Sequence, residues 1–166
     1  MPYSLTTHRR KLLALIACSL LALGVGIGWA VAKSAAPTAA KRLALAQSRH
    51  VRGAPDHTLG LSKVIIPPGV KLPLHHHEGT QVGYVAHGRL TYTVHRGSAK
   101  VKRGLADQHP KLVRKVTAGH TITIHPGEWI IEQPSDHHSA VNKTNKRIVI
   151  YLSTLLKTGA PPATPG

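Results

Sequence analysis

Beyond Thr58 the chain alternates apolar and polar residues in short runs. In QVGYVAHGRLTYTVHRG two such runs meet at His87 and Gly88, which predicts two strands joined as a hairpin. LSKVIIPPG reads as a strand stopped by Pro67, Pro68 and Gly69. VRKVTAGHTITIHPGEWIIEQP holds further short strands punctuated by Gly119, Pro126 and Gly127, and RIVIYLSTLL closes the set as one near-continuous apolar strand. Residues 97–112 read as a basic connection of no definite structure. Short strands separated by Gly and Pro turns predict an all-β fold, an antiparallel double-sheet sandwich or barrel. Composition agrees: Phe is absent, so the core must come from Val, Ile, Leu and a few Tyr and Trp, which favour strands.

The N-terminus has a different texture. THRRK supplies a positive flank and residues 12–32 carry no charge, predicting a hydrophobic helix over 1–33 that acts as an export signal or a transmembrane anchor. The run is long enough to span a bilayer, and positive flanking charge places the basic end in the cytoplasm. The domain is then membrane-anchored facing outside the cytoplasm. Ala30, Val31 and Ala32 offer a small-x-small cleavage site that would instead release it as a secreted protein. Residues 34–57 are Ala-rich and broken by Pro37, Gly53 and Pro55, a linker with one or two helical turns around Arg42 to Ser48. The folded domain is expected over 58–156, and the Pro- and Gly-rich residues 157–166 read as a flexible tail that does not pack.

Charge narrows the partners less than its size suggests. Lys and Arg number 22 against 6 Asp and Glu, a net +16, which attracts anions at long range. The cations are scattered, the densest group (Lys100, Lys102, Arg103, Lys111, Arg114 and Lys115) is expected in a loop, and few stacking aromatics accompany them, so nucleic acid is not the expected partner. The single cysteine, Cys18, lies in the apolar run, which leaves the domain no internal disulfide. No nucleophile elbow or phosphate-binding Gly loop is present. Covalent catalysis is disfavoured, and any chemistry falls to a metal.

The stretch LPLHHHEGTQVGYVAHG, residues 72–88, supplies candidates for one. In a strand alternate side chains share a face, so His75 and His77 point one way and His76 the other. Two imidazoles on one face offer an ion two neutral nitrogen donors. Four residues on, Gln81 carries a carbonyl oxygen able to coordinate, where no carboxylate stands. A further ligand must come from elsewhere in the chain.

At this spacing the sequence resembles the cupins, small jelly-roll barrels. Their first motif is Gly, five residues, His-x-His, three or four residues, Glu, six residues, Gly; here Gly69, His75, His77, Gln81 and Gly88 fall in place, with Gln81 for the usual Glu. Their second motif is Gly, five residues, Pro-x-Gly, two residues, His, three residues, Asn. Gly127, His138 and Asn142 match it, while Gln133 and Ser135 depart from its Pro and Gly. The resemblance implies a cupin barrel holding one divalent transition metal (Fe, Mn, Ni or Zn) through His75, His77, His138 and Gln81, with a small-molecule ligand beside it. Adjacent His137 leaves a one-residue slip open. Tyr84, Trp129 and Glu132 are candidates for the pocket, Glu132 either orienting a ligand histidine or lying on the surface. Cupins often pair as homodimers.

With a neutral amide at 81, the ligand set would leave the ion's charge uncompensated, lowering affinity and drawing an anion to its open positions. The amide cannot serve as a general base. Protonation of the histidines should weaken binding below about pH 6. Two functions follow: a metal-dependent oxygenase acting on a small anionic compound, or a non-catalytic module of the cell envelope that holds metal or a small ligand.

Overall fold

A computed structural model of the chain describes residues 38–134 and 136–166. The hydrophobic segment, its anchor and cleavage readings, and Ser135 lie outside these residues. The described chain is all-β, with twelve strands and no helix. They are β1 Lys41–Ser48, β2 His57–Ile66, β3 Lys71–His76, β4 Gly79–His87, β5 Leu90–Arg96, β6 Ser98–Arg103, β7 Lys111–Thr117, β8 Thr121–Ile124, β9 Glu128–Glu132, β10 His137–Val141, β11 Ile148–Lys157 and β12 Thr164–Pro165. Seven form one antiparallel sheet in the order β1-β2-β11-β4-β9-β6-β7, and five form the other in the order β12-β3-β10-β5-β8.

Alternation decides what each strand buries. On β2, Ser62, Val64 and Ile66 face the other sheet while Leu59, Leu61 and Lys63 face out. Ile66, Val85, Val94, Val101, Ile124 and Ile148 are almost wholly buried and form the centre of the core between the sheets. Polar side chains are buried as well, among them His77, Gln81, Glu132 and His138.

Four local expectations are corrected. The runs on either side of His87 and Gly88 are strands, but they do not pair as a hairpin. Both edges of β4 are taken by β11 and β9, and both edges of β5 by β10 and β8. The turn therefore carries the chain from one sheet to the other. Gly88 makes this crossing at φ 79°, and a Cβ there would lie 2.9 Å from the Arg147 carbonyl oxygen, which leaves no room for a side chain.

Residues 41–48 form strand β1 rather than helical turns. Their Ala and Leu content favours a helix locally, but pairing with β2 from Lys41↔Ile65 to Ser48↔Leu59 satisfies the backbone of both strands. The basic stretch from 97 is structured in its first half: β6 buries Ala99 and Val101, points Lys100 and Lys102 outward, and pairs with β9 and β7. Charge had masked an ordinary alternating strand. The C-terminal residues pack as well. Thr164 and Pro165 pair with His76 and His75 of β3, and the Gly166 N–H donates to the Leu74 carbonyl at 3.1 Å.

Candidate metal centre

β3 and β10 are neighbours, and their register sets His75 opposite His138. His77 follows β3 on the same face. The ring centroids lie 4.3 Å apart for His75 and His138, 5.0 Å for His75 and His77, and 5.2 Å for His77 and His138. One nitrogen from each ring falls within 4.8 Å of the others. His76 points the opposite way, stacks on His137 at 4.7 Å and places Nε2 3.3 Å from Glu78 Oε1. The slip between His137 and His138 is thereby decided: His138 joins the other two.

Backbone carbonyls fix the protons of two rings. A carbonyl only accepts, so His75 Nδ1–H donates to the Pro73 oxygen at 2.7 Å and His77 Nδ1–H to the Pro162 oxygen at 2.8 Å. Each neutral ring then carries its lone pair on Nε2, the arrangement of a histidine held ready for a metal. His77 Nε2 accepts a hydrogen bond from Gln81 Nε2 at 2.8 Å. Gln81 is buried; its Nε2 also donates to Glu132 Oε2, and its Oε1 has no hydrogen-bond partner among the described residues.

Glu132 reaches this point from β9, whose register sets it opposite Gln81 on β4. It is 5% exposed, with Oε2 3.6 Å from His77 Nε2 and Oε1 3.3 Å from His138 Nε2. The surface reading of Glu132 is therefore wrong. Tyr92, almost fully buried on β5, stacks on the His138 ring at 5.1 Å and lies beside Glu132.

Burial dominates the electrostatics. It lowers the pKa of His77 to about 4 against the opposing pull of Glu132, and lowers His138 in the same way. For Glu132, burial alone would raise the carboxyl, but His138, His77, Gln81 and Tyr92 outweigh it and hold the group below the usual carboxylate value. The Tyr92 phenol is pushed up by burial and by Glu132, so it stays protonated. Neutral imidazoles facing an ionised carboxylate make a site whose charge favours a cation. Three nitrogen donors, two of them locked through Nδ1, suit a divalent transition metal.

The histidines and Glu132 border a cavity of about 660 Å³ between the sheets. Val64, Leu72, Leu90, Ile124, Ile150 and Leu152 make much of its wall, and Pro162, Ala163, Pro165 and Gly166 of the C-terminal segment close one side. Arg42 of β1 also lines it, its Nε donating to Ser62 Oγ at 3.2 Å.

The other motif residues have structural places. Gly69, Gly88 and Gly127 occupy turns with positive φ. Asn142, fully buried, donates to the Ile66 and Lys146 carbonyls at 2.9 and 2.8 Å and accepts from the Thr144 backbone and hydroxyl, tying the end of β10 to β2. Tyr84 and Trp129 do not line the cavity. They are cross-strand partners on the outer face, Tyr84 43% exposed and Trp129 donating Nε1–H to the Gly104 carbonyl at 3.0 Å. Strand parity explains this: Gln81, Gly83 and Val85 point inward, so position 84 points out.

Sequence reasoning missed Arg42 and Pro162, because the first sits in a segment read as a linker with a helical turn or two and the second in one read as a flexible tail. Tyr92 had a signal, its alternation with Leu90 and Val94, which marks one inward face of β5. The densest basic group is also partly accounted for. Arg103 and Arg114 pair with buried Glu128 at 2.7 and 2.5 Å.

No protein-family model matches the sequence, and no curated protein is recognisably similar to it. Solved structures do match in shape. A cupin 2 domain-containing protein from Halorhodospira halophila aligns with a TM-score of 0.50 at 14% identity, covering 78% of this chain and 71% of its own. The cupin domain of Cnp3 from Schizosaccharomyces pombe aligns at 0.51 and 12%, covering 80% and 75%. The DMSP lyase DddQ from Ruegeria pomeroyi aligns at 0.50 and 13%, covering 76% of this chain and 51% of the lyase. At such identities the likeness speaks for architecture alone: the described part of this chain has the cupin fold.

Proposed function

We propose that this is an exported, metal-dependent protein that binds a small anionic compound in its apolar cavity and acts on it as an oxygenase. The observation that carries the reading is the convergence of His75, His77 and His138 at the edge of that cavity. A divalent transition metal held there supplies Lewis acidity and, as iron or manganese, redox chemistry. The chain's own residues do the rest. The apolar walls bind the carbon skeleton and exclude water. Arg42 offers a half-buried guanidinium that remains cationic although burial lowers its pKa, and it fits a carboxylate, enolate or phenolate. Tyr92 keeps its proton beside Glu132.

Export rests on the N-terminal segment, which would hold the domain outside the cytoplasm or be cleaved to release it. Pairing as a homodimer through the outer face of the seven-stranded sheet is supported by exposed Leu59, Leu61, Val82, Tyr84 and Tyr151.

Elemental analysis of the full chain, beside a His75→Ala, His77→Ala double variant, tests the centre. About one equivalent of iron, manganese, nickel or zinc in the parent and little in the variant is expected. No metal in the parent after reconstitution overturns the reading. Oxygen uptake by the iron- or manganese-loaded chain with small aromatic carboxylates tests catalysis. Tight binding without turnover would instead make the protein a ligand-holding module.

A further inference from the structure

We infer that Glu132 is a protein ligand of the metal, supplying from β9 the carboxylate that the motif position at Gln81 lacks. This rests on the proposed metal centre and goes beyond its three histidines.

The first argument is distance. Donors about 2.1 Å from a common ion stand roughly 3.0 Å apart at right angles and roughly 3.4 Å apart at the tetrahedral angle. Glu132 Oε1 is 3.3 Å from His138 Nε2, and Oε2 is 3.6 Å from His77 Nε2. The first falls between those two values and the second lies about 0.2 Å beyond the larger, so a small closing of the carboxylate would bring both to the edges of one coordination shell. The second argument is proton placement. His77 Nδ1 carries the ring proton to Pro162, so its Nε2 lone pair faces the carboxylate with no hydrogen of its own to share. The Gln81 amide hydrogens now bridge the two acceptors, and a shared cation would take over that bridging place.

The third is isolation. Buried Glu128 is held by two arginines, whereas the ion pairs of Glu132 among the described residues are with His77 and His138 alone. A buried carboxylate is paired or coordinates a metal. The fourth is register: Gln81 and Glu132 are directly opposite on adjacent strands, so a carboxylate on either reaches the same space. Gln81 then acts through Glu132, its Nε2–H holding Oε2, and its bond to His77 Nε2 is the one that yields to the ion. The charge expected to be uncompensated is met by one carboxylate.

Zinc binding to the full chain tests this. The parent is measured beside Glu132→Gln, His138→Ala and the exchange double variant Gln81→Glu, Glu132→Gln. Glu132→Gln should weaken zinc affinity by roughly tenfold or more, and the exchange variant should recover most of the loss. A Glu132→Gln variant that binds as tightly as the parent, while His138→Ala does not bind, overturns the inference and leaves the histidine centre standing. A parent that binds no zinc overturns both.

Because a variant can fail to fold, the parent itself supplies a second readout. The chain has three glutamates, Glu78, Glu128 and Glu132. With carboxyl-¹³C glutamate and resonances assigned through the backbone, one equivalent of zinc should shift the Glu132 signal most. An unmoved Glu132 signal in zinc-loaded protein rejects the inference.

Discussion

The Nδ1–H of His77 donates to the carbonyl of Pro162 at 2.8 Å, across 85 residues of chain. A segment with the composition of a loose tail therefore sets the tautomer of a histidine in the candidate metal centre. The same segment adds β12 to the edge of β3 and closes one side of the cavity. Its proline-rich sequence suits the role, since few of its backbone donors need a partner.

Ending the chain at Thr158 should remove this clamp while sparing the core, which lies between the sheets. Zinc affinity is expected to fall by roughly 10- to 100-fold, the usual effect of losing a partner that orients a ligand histidine. Calorimetric titration checks the affinity and circular dichroism the fold. Unchanged affinity would show that the clamp is dispensable.

Asn142→Ala should destabilise the domain by about 3 kcal/mol, because the Ile66 and Lys146 carbonyls and the Thr144 donors lose their partner in a buried place. Urea unfolding measures it, and a loss below about 1 kcal/mol would mean that water or a shifted loop replaces the amide.

Acid should weaken the metal-free protein through His77. Its folded pKa, about 4, lies below the unfolded value near 6.5, so the unfolded chain binds the proton more readily between them. The stabilising contribution is complete above about pH 6.5 and is lost as pH falls toward about 4, on the order of 3 kcal/mol across that window. Buried His138 shifts in the same direction. Urea midpoints at several pH values should fall through this range, and a His77→Gln variant should show a shallower slope.

Glu128→Ala should cost about 3 kcal/mol, because a wholly buried carboxylate that holds Arg103, Arg114 and the His125 N–H is removed at once. Burial alone would raise the Glu128 carboxyl, but those partners hold it below the usual value of 4.5, so its contribution is present above that pH and is lost as pH falls through the lower folded value. Glu128 does not touch His75, His77 or His138, so zinc affinity in the folded variant should match the parent. A parallel loss of zinc would show that β9 positions Glu132 only when both of its ends are anchored.

Much of the architecture was legible because strand periodicity is local. Alternation located β2, β4, β5 and β11, put His75 and His77 on one face, and turned His76 away from them. The spacing of His138 and Asn142 also lay in the sequence. Partnership was not legible, because it depends on which strands become neighbours. Gly88 reads as a hairpin turn until β4 and β5 are seen to have other partners in different sheets. The Ala and Leu of β1 favour a helix until β2 offers an edge. Glu132 stands 51 residues from Gln81, and Pro162 stands 85 from His77; only sheet register and the return of the C-terminus bring them together. Local pattern was enough to give an alternating β domain with His75 and His77 on one face, and the resemblance to the cupin motif added His138. Which carboxylate, guanidinium and backbone carbonyl meet them came only with the packed sheets, because side-chain direction follows from residue parity whereas contact between distant strands follows from packing.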